Sequence, residues 1–200
     1  MKKIGSAAIF GAGIAGMQAS LDLAEMGFKV YLIDNKPCIG GVMAQLDKTF
    51  PTNDCAMCIM SPKLVDTGRH PNIEIITNAE LKALDGEAGN FKISLLKKPR
   101  FIDELKCNGC GDCTEKCPVN LPSEHDEGIA DRKAVYRRYQ QAIPNLFSID
   151  KRGIAPCRDK CPTHVNIQGY IALIAAGEYK KGRGLYSSRP SSRASSISHE

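Results

Sequence analysis

The beginning of the chain follows a strand, helix, strand order of apolar and polar positions. Residues 6–10 form a short apolar run typical of a buried strand, and residues 29–33 form a second one. Between them, residues 14–26 predict a helix, because apolar side chains recur at helical spacing and Gly27 provides a stop signal. The apolar positions of that helix are Ile14, Met17, Leu21 and Ala24. The pattern predicts a β-α-β unit within about thirty residues.

The sheet that this unit begins has few further strands. Residues 35–72 are interpreted as rich in loops, because four prolines interrupt them. Residues 73–77 predict a third strand and residues 91–95 a fourth. An open dinucleotide-binding sheet usually has about five or six strands, and nothing later in the chain returns to that pattern. The predicted fold class is therefore α/β, with a partial Rossmann-like domain over residues 1–98.

Three shorter segments follow this domain. Residues 99–150 predict a ferredoxin-like insert, in which cysteine, glycine and proline give way to the charged stretch DEGIADRKAVYRRY, interpreted as a solvated face. Residues 151–181 predict the start of a helical module, with Asn166 capping a helix over residues 167–180. Residues 182–200 are rich in serine and arginine and lack apolar periodicity, so they predict a disordered tail.

A glycine-rich turn joins the first strand to the first helix. The sequence GAGIAG places Gly11, Gly13 and Gly16 where a dinucleotide fold needs a tight turn, a close approach to pyrophosphate and tight helix–strand packing. Phosphates then bind at the helix N-terminus, where free N–H groups and the dipole favour negative charge. Asp34 ends the second strand, where a carboxylate can accept hydrogen bonds from ribose hydroxyls. The alternative is that the small residues only permit packing in another kind of α/β domain.

A second glycine pair bears on which dinucleotide is bound. Gly40 and Gly41 follow Asp34 by six and seven residues. A second loop of this kind can bring its backbone against the same ligand. The pair favours FAD over NAD as the cofactor of the predicted domain.

Four cysteines of residues 107–117 follow the spacing C-x2-C-x2-C-x3-C-P, which bacterial ferredoxins use for iron–sulfur ligation. Three thiolates on one short loop can surround one face of a cubane, while the fourth ligates another cluster in two-cluster ferredoxins. The predicted metal ligands are Cys107, Cys110, Cys113, Cys117, Cys157 and Cys161. Zinc is the weaker alternative, because structural zinc usually takes two separated C-x2-C pairs. The total of nine cysteines is odd, which argues against a closed disulfide framework.

The remaining cysteines lie earlier in the chain. Cys55 and Cys58 form a C-x-x-C outside any ferredoxin context. Three interpretations stay open for this pair: cluster ligands, a redox dithiol near a flavin, or buried thiols with Met57 and Met60 in the core. Cys38 is interpreted as a small hydrophobic residue.

Charge and hydropathy exclude two classes of partner. The net charge is +5 and mixed in sign, without the basic stripe of a nucleic-acid-binding protein. No apolar run reaches the roughly eighteen residues of a membrane span. The two lysines and small apolar residues at the start faintly resemble a signal peptide. We reject that interpretation because the glycine spacing and the helix behind it fit a dinucleotide-binding turn. We expect a cytoplasmic protein.

Taken together, these segments resemble the N-terminal part of the A subunit of heterodisulfide reductase and its relatives. The matching stretches are GAGIAGMQASLDLAEMGFKVYLID, IGGVMAQLDKTFPTNDCAMCIMSPK, GRHPNIEIIT, CNGCGDCTEKCPV and DEGIADRKAVYRRYQQAIPNLFSIDKRGIAPC. Residues 153–181 are also similar to the iron–sulfur helical region that opens the small subunit of glutamate synthase. Two further cysteine groups normally follow in that region, and this sequence lacks them.

The resemblance implies FAD on the two glycine loops and Asp34, although that family usually carries Glu at the position of Asp34. It also implies [4Fe-4S] clusters on the later cysteines. Such subunits pass electrons from a hydrogenase, formate or ferredoxin module to a disulfide-reducing partner, so the expected function is that of an electron-transferring oxidoreductase subunit. The cofactors carry the chemistry, and no catalytic side chain is required.

Two other functions remain as alternatives to that expectation. One is an NAD(P)H-linked flavoprotein like the glutamate synthase small subunit, which would require a second dinucleotide motif that these 200 residues lack. The other is a non-enzymatic fragment that holds a cluster. Because the resemblance ends near Lys181, the hypothesis is a truncated or frame-shifted product.

Overall fold

A computed structural model describes residues 5–151 and 154–187 of the chain. The chain divides into two compact units, residues 1–150 and residues 151–200. The predicted boundary between residues 98 and 99 therefore falls inside the first unit. Most of the predicted tail, residues 188–200, lies outside the described residues.

The first unit contains eleven strands and three α-helices among its described residues. In chain order these are β1 (Ser6–Phe10), α1 (Ile14–Glu25), β2 (Lys29–Ile33), β3 (Lys48–Thr49), β4 (Asp54–Cys55), α2 (Ala56–Arg69), β5 (Ile73–Ile76), β6 (Ala79–Glu87), β7 (Asn90–Lys97), α3 (Asp112–Glu115), β8 (Asn120–Pro122), β9 (Asp131–Lys133), β10 (Val135–Tyr136) and β11 (Ser148–Ile149). Across the described parts of both units, each helix is too short or too polar to cross a bilayer.

The predicted β-α-β unit is present and lies in a three-stranded parallel sheet. The sheet order is β1-β2-β5, in which Ser6 pairs with Lys29 and Val30 pairs with Ile73. Consecutive strands are added outward from β1, which is the order of one half of a dinucleotide-binding fold. The helix that connects β1 to β2 ends as predicted, because Gly27 adopts a left-handed φ of +92°.

One helix was missed in the segment interpreted as rich in loops. Helix α2 runs through Pro62. Proline lacks the N–H of a regular helix position, so its presence had indicated a loop. Its buried positions repeat at helical spacing and face α1 and the sheet: Ala56, Met60, Leu64 and Thr67. The packing of that apolar stripe outweighs the one backbone hydrogen bond that the proline removes.

The predicted fourth strand does not extend the parallel sheet. Residues 91–95 belong to β7, which pairs antiparallel with β6 in a separate hairpin that turns at Gly89. Both strands are largely exposed, and β6 was not predicted because its sequence mixes charged, small and apolar residues without clear alternation. The described residues thus contain a parallel sheet of three strands.

The segment after residue 99 packs into the same core as the sheet. Tyr139 and Ala142 are buried in one cluster with residues of α1, β2 and α2. The prediction of a solvated charged face was therefore wrong for residues 132–139, which are buried or half-buried, whereas residues 127–131 are exposed. Arg132 illustrates the reason, because its guanidinium lies 3.5 Å above the Tyr136 ring and bonds carboxylates of Glu124 and Asp150. Each charge of this cluster has a partner that allows it to leave the solvent.

The second unit contains three helices among its described residues. They are α4 (Pro156–Asp159), α5 (Ile167–Ala175) and α6 (Tyr179–Ser187). Asn166 caps α5 as predicted, and its side chain accepts a 3.0 Å hydrogen bond from the Gly169 N–H. The predicted helix was too long, because Gly177 ends the turn after α5 with a φ of +77°. The predicted tail was also wrong at its start, where residues 182–187 continue α6 and Tyr186 packs on Tyr170.

The Leu64 side chain provides a test of the missed helix. Leu64→Ala should lower the free energy of unfolding of the first unit by about 2–5 kcal/mol, because a fully buried side chain leaves a cavity. The neighbouring Val65 is 38% exposed, so Val65→Ala should cost less than about 1 kcal/mol. Denaturant titrations of the two variants measure the difference, and equal losses would contradict the assigned face of α2.

Candidate functional site

The glycine turn after β1 requires two of its glycines for the fold itself. Gly11 has a φ of +93°, and its N–H donates to the Ile33 carbonyl over 2.8 Å. A Cβ atom on Gly16 would overlap the carbonyl oxygen of Gly11. The turn therefore brings the first turn of α1 directly against the end of β1.

Gly13 is different, because a Cβ atom there would come no nearer than 4.0 Å to the Gly41 backbone. In the other direction, a Cβ on Gly41 would lie 2.8 Å from the Gly13 Cα, and Gly41 has a φ of +60°. The neighbouring Gly40 N–H donates to the Ala12 carbonyl over 2.7 Å. The fold thus brings the two predicted glycine loops against each other.

Asp34 at the end of β2 is buried and holds this arrangement together. Its Oδ2 accepts a 2.6 Å hydrogen bond from the Ala12 N–H, and its Oδ1 accepts a 2.8 Å bond from the Lys36 N–H. The carboxylate thus anchors the glycine turn, a role that the sequence did not indicate. Each carboxylate oxygen has a further lone pair, so the ribose contact remains a prediction.

A cavity of about 350 Å³ opens at the carboxyl ends of β1 and β2. Its lining residues are Phe10, Gly11, Ile33, Asp34, Asn35, Ala79, Glu80 and Leu81. Ligands of open α/β sheets bind at this edge. The N-terminus of α1 starts beside it, without a side-chain cap or an acidic residue in its first turn. Both features fit a dinucleotide with its phosphates at the helix end.

Two residues that hold the loops were missed by sequence reasoning. The Tyr139 hydroxyl donates to the Ile39 carbonyl, directly before Gly40. The Arg100 guanidinium is 4% exposed and donates to the Pro37 carbonyl over 2.7 Å and to the Thr77 hydroxyl over 2.8 Å. Both side chains come from the segment after the sheet, so only the folded chain brings them to this loop.

The cysteine run is a loop followed by the short helix α3. Gly109 and Gly111 adopt φ values of +76° and +97°, so both glycines of the run reverse the chain where a β-carbon would be strained. The Cys110 N–H donates to the Asn108 side chain over 3.1 Å. These turns place three thiols around a common space.

That space is a cavity of about 390 Å³ with a largely apolar wall. Three cysteines line it together with Val135 and Phe147, and these cysteines are Cys107, Cys110 and Cys113. In the described residues, no three His, Cys, Asp or Glu side chains converge closely enough to hold one metal ion. A cubane presents its irons at separate corners, so its thiolate ligands surround a volume. The donor set and the cavity therefore fit an iron–sulfur cluster.

Cys117 has different surroundings and does not line the cavity. A hydrogen bond from the Val135 N–H lowers the pKa of its thiol below the ordinary value. In the second unit, the Cys161 sulfur lies 3.3 Å from the Thr163 hydroxyl, and this hydrogen bond lowers the pKa of that thiol. Cys157 is exposed. A cluster shared by Cys117 with Cys157 or Cys161 remains a prediction.

The earlier cysteines separate into two kinds. Cys38 is 3% exposed, and burial raises the pKa of its thiol to about 12, as expected of a small core residue. Cys55 and Cys58 are both exposed at the start of α2, while Met60 is in the core. The interpretation of these two cysteines as buried thiols was therefore wrong.

Two family models match the first unit. An NAD(P)-binding Rossmann-like domain matches residues 9–70, and a 4Fe-4S binding domain matches residues 100–123. The first range contains both glycine loops and Asp34, and the second contains the cysteine run. The predicted α/β fold class is thereby confirmed, with a dinucleotide and an iron–sulfur cluster as its cofactor classes.

Curated relatives give the more specific likeness. The chain is 57% identical over 145 residues to the first iron-sulfur A subunit of CoB--CoM heterodisulfide reductase from Methanopyrus kandleri, covering 72% of this chain and 22% of that protein. It is 48% identical over 184 residues to the A subunit of H(2):CoB-CoM heterodisulfide,ferredoxin reductase from Methanothermobacter marburgensis, covering 86% and 28%. The resemblance to the A subunit of heterodisulfide reductase is confirmed. The chain spans about a quarter of the length of these relatives.

The second match extends beyond the first unit. An 86% share of the 200 residues is about 172 residues, which exceeds the 150 of the first unit. Part of the helical module therefore has a counterpart in the heterodisulfide reductase relative. The likeness of residues 153–181 to glutamate synthase remains a prediction.

Solved structures share a weaker likeness. L-proline dehydrogenase from P. horikoshii aligns with a TM-score of 0.38 at 19% identity, over 48% of this chain and 20% of that chain. Thioredoxin reductase of T. acidophilum aligns with a TM-score of 0.37 at 22% identity, over 44% and 29%.

Gly16 offers a test of the close approach in the turn. Gly16→Ala should lower the free energy of unfolding by about 1–3 kcal/mol, because the new methyl group must displace the Gly11 carbonyl. Helix propensity alone would make the alanine variant more stable by about 1 kcal/mol. A loss of stability therefore indicates the clash with the Gly11 carbonyl, and a gain indicates its absence. Gly13→Ala is the control: its Cβ meets no close atom, so the weaker N-cap alone should lower stability by about 1 kcal/mol or less in the same denaturant titration. A stabilised Gly16→Ala variant would contradict the geometry.

The cysteine loop offers a second test. Cys110→Ala should remove about one cluster's worth of iron, because Cys110 lines the cavity. Cys117→Ala should leave that cluster in place, because Cys117 does not line the cavity. Iron and acid-labile sulfide are counted after anaerobic reconstitution, with reduced-state EPR spectra. The same loss in both variants would show that all four cysteines of the run bind one cubane.

Proposed function

We propose that this chain is the electron-transferring flavin and iron–sulfur part of an oxidoreductase complex of the heterodisulfide reductase type. One observation carries the proposal: the glycine loops and the cysteine run belong to one compact unit, and the segment after the run packs into the core beside the glycine loops through Tyr139 and Ala142. A protein that only bound a dinucleotide would not need the cysteine loop. A simple ferredoxin would not need the glycine turn.

The contact between the two glycine loops supports FAD over NAD. Gly41 lies directly against Gly13, so the second loop borders the same space as the pyrophosphate-binding turn. The Tyr139 hydrogen bond and the Arg100 guanidinium fix that second loop from the other side. The loop with Gly40 and Gly41 therefore extends the surface available to a dinucleotide beyond the glycine turn. The longer dinucleotide with its flavin ring is therefore the proposed ligand.

The residues of this chain bind and orient the proposed cofactors. The α1 N-terminus and Gly13 would hold the pyrophosphate, while Asp34 and the cavity at β1 and β2 would hold the adenosine end. The proposed first cluster lies on Cys107, Cys110 and Cys113, whose apolar surroundings would influence its reduction potential. The remaining predicted ligands are Cys117, Cys157 and Cys161. When bound, FAD exchanges one or two electrons and an iron–sulfur cluster exchanges one.

The partners belong to the proposal as well. The relatives are named as A subunits of heterodisulfide reductases, and their names mention H2, formate or ferredoxin. Because the chain spans about a quarter of such a protein, the electron donor, the disulfide-reducing subunits and the cytoplasmic location are inferences for this chain.

Gly13 gives the sharpest test of this function. Gly13→Val should reduce FAD retention at least about tenfold after anaerobic reconstitution, because the branched side chain occupies the space proposed for the phosphates. The variant should still fold, because a Cβ at Gly13 meets no atom closer than 4.0 Å. Its iron and sulfide content should equal that of the wild type. Flavin absorbance, metal analysis and circular dichroism measure the three properties.

Gly184→Val is the matched control, because Gly184 lies in the second unit and a Cβ there would meet no atom of another element within 4 Å. The control should retain FAD like the wild type. Wild-type FAD content in Gly13→Val would overturn the assignment of the turn. Uptake of one zinc without sulfide by the wild type would overturn the electron-transfer proposal.

A further inference from the structure

The pair Cys55 and Cys58 lies at the entry to α2, outside both cofactor sites described above. Cys55 is the N-cap of the helix with an extended backbone (φ −62°, ψ 114°), and Cys58 is in the first helical turn. The Cys55 sulfur accepts a 3.2 Å hydrogen bond from the Cys58 N–H. A sulfur in this position takes the place of the oxygen of a serine or aspartate cap.

The surrounding hairpin fixes this geometry. Cys55 is in β4, where it pairs with Lys48 of β3, and the Ala56 N–H donates to the Asp47 carbonyl over 3.1 Å. Both cysteines are exposed to solvent and neither forms a disulfide. Neither lines the cavity of the cysteine loop. The pair is thus an accessible dithiol whose spacing is fixed by the cap of α2 and by the pairing of β3 with β4.

The two thiols differ in acidity. A hydrogen bond from the Cys58 thiol, with a second from the Cys58 N–H, lowers the pKa of Cys55 below its ordinary value. The same thiol–thiol hydrogen bond raises the pKa of Cys58. This asymmetry favours a thiolate on the first cysteine and a thiol on the second. Cysteines at helix N-termini in C-x-x-C pairs commonly show lowered pKa values and enhanced reactivity.

We propose that Cys55 and Cys58 form a redox-active dithiol that reduces low-molecular-weight disulfides by thiol–disulfide exchange. The Cys55 thiolate attacks one sulfur of a disulfide RS–SR, which forms a mixed disulfide and releases RS⁻. Cys58 then loses its proton to solvent and attacks the Cys55 sulfur, which releases the second RS⁻. The released thiolates take up the protons that the dithiol lost.

The net change balances without another reductant. One dithiol is oxidised to the Cys55–Cys58 disulfide and one substrate disulfide is reduced to two thiols. The reaction therefore needs neither flavin nor cluster and does not rest on the electron-transfer function proposed above. It differs from that function because the reducing electrons come from side chains of this chain.

The test is a single-turnover reaction of the full 200-residue chain. Reduced protein is freed of reductant under anaerobic conditions and mixed with glutathione disulfide at neutral pH. Samples are quenched with acid and alkylated, and the peptide that carries both cysteines is analysed by mass spectrometry. The wild type should yield an intrapeptide disulfide without glutathione. Buried Cys38 provides the internal control and should remain unmodified.

Two variants separate the roles of the cysteines. Cys58→Ser should accumulate glutathione on Cys55, because the resolving thiol is absent. Cys55→Ser should react at least about tenfold more slowly, because the activated thiolate is gone. Serine is itself a good N-cap, so α2 should form in this variant, as circular dichroism will verify.

Three outcomes would overturn the proposal. The first is no oxidation of the pair in the wild type. The second is no mixed disulfide on Cys55 in Cys58→Ser. The third is a loss of iron and sulfide from anaerobically reconstituted Cys55→Ser or Cys58→Ser, which would identify the pair as cluster ligands. That third result would leave the electron-transfer proposal intact, so the two failures are distinguishable.

Discussion

The close approach of the Gly11 carbonyl to the backbone of Gly16 is the contact on which the first unit depends. It sets the distance between β1 and α1, and with it the direction in which the helix N-terminus points. Asp34 keeps the turn in this shape, because its carboxylate accepts the Ala12 N–H. The second glycine loop then packs on the first through Gly41 and Gly13. The geometry of the dinucleotide site follows from these backbone contacts, since glycines meet where the two loops touch.

The iron–sulfur segment is part of the same structure and not an appendage to it. Tyr139 contributes to the core of the sheet domain, and Arg100 donates hydrogen bonds to the loop after β2 and to Thr77 at the end of β5. Burial of an arginine is costly unless its donors are bonded, so these contacts make the junction specific. These contacts join the segment that carries the cysteine loop to the loop after β2 within one unit.

The cysteines of this chain lie in different environments. Cys38 is a core residue with a raised pKa, and three cysteines of the run surround one cavity. Cys55 and Cys58 form an exposed pair at a helix N-terminus, while Cys157 and Cys161 belong to the second unit. Burial and hydrogen bonding, and not the presence of sulfur, distinguish an inert thiol from a ligand or a nucleophile.

Sequence pattern alone predicted the β-α-β unit, the two glycine loops, the ferredoxin spacing and the cap of α5, because each depends on residues close together in the chain. It did not reveal α2, because Pro62 hides a helix that is stabilised by packing of its apolar stripe on α1. Sequence pattern also predicted a domain boundary at residue 99 and solvent-exposed charges after it, which the structure does not show for residues 132–139. Only the tertiary structure showed that Arg100, Arg132 and Tyr139 are partnered or buried, since their partners are separated from them by up to 100 residues. Burial and long-range hydrogen bonds depend on how distant segments pack, and the local pattern of apolar and polar residues does not specify that packing.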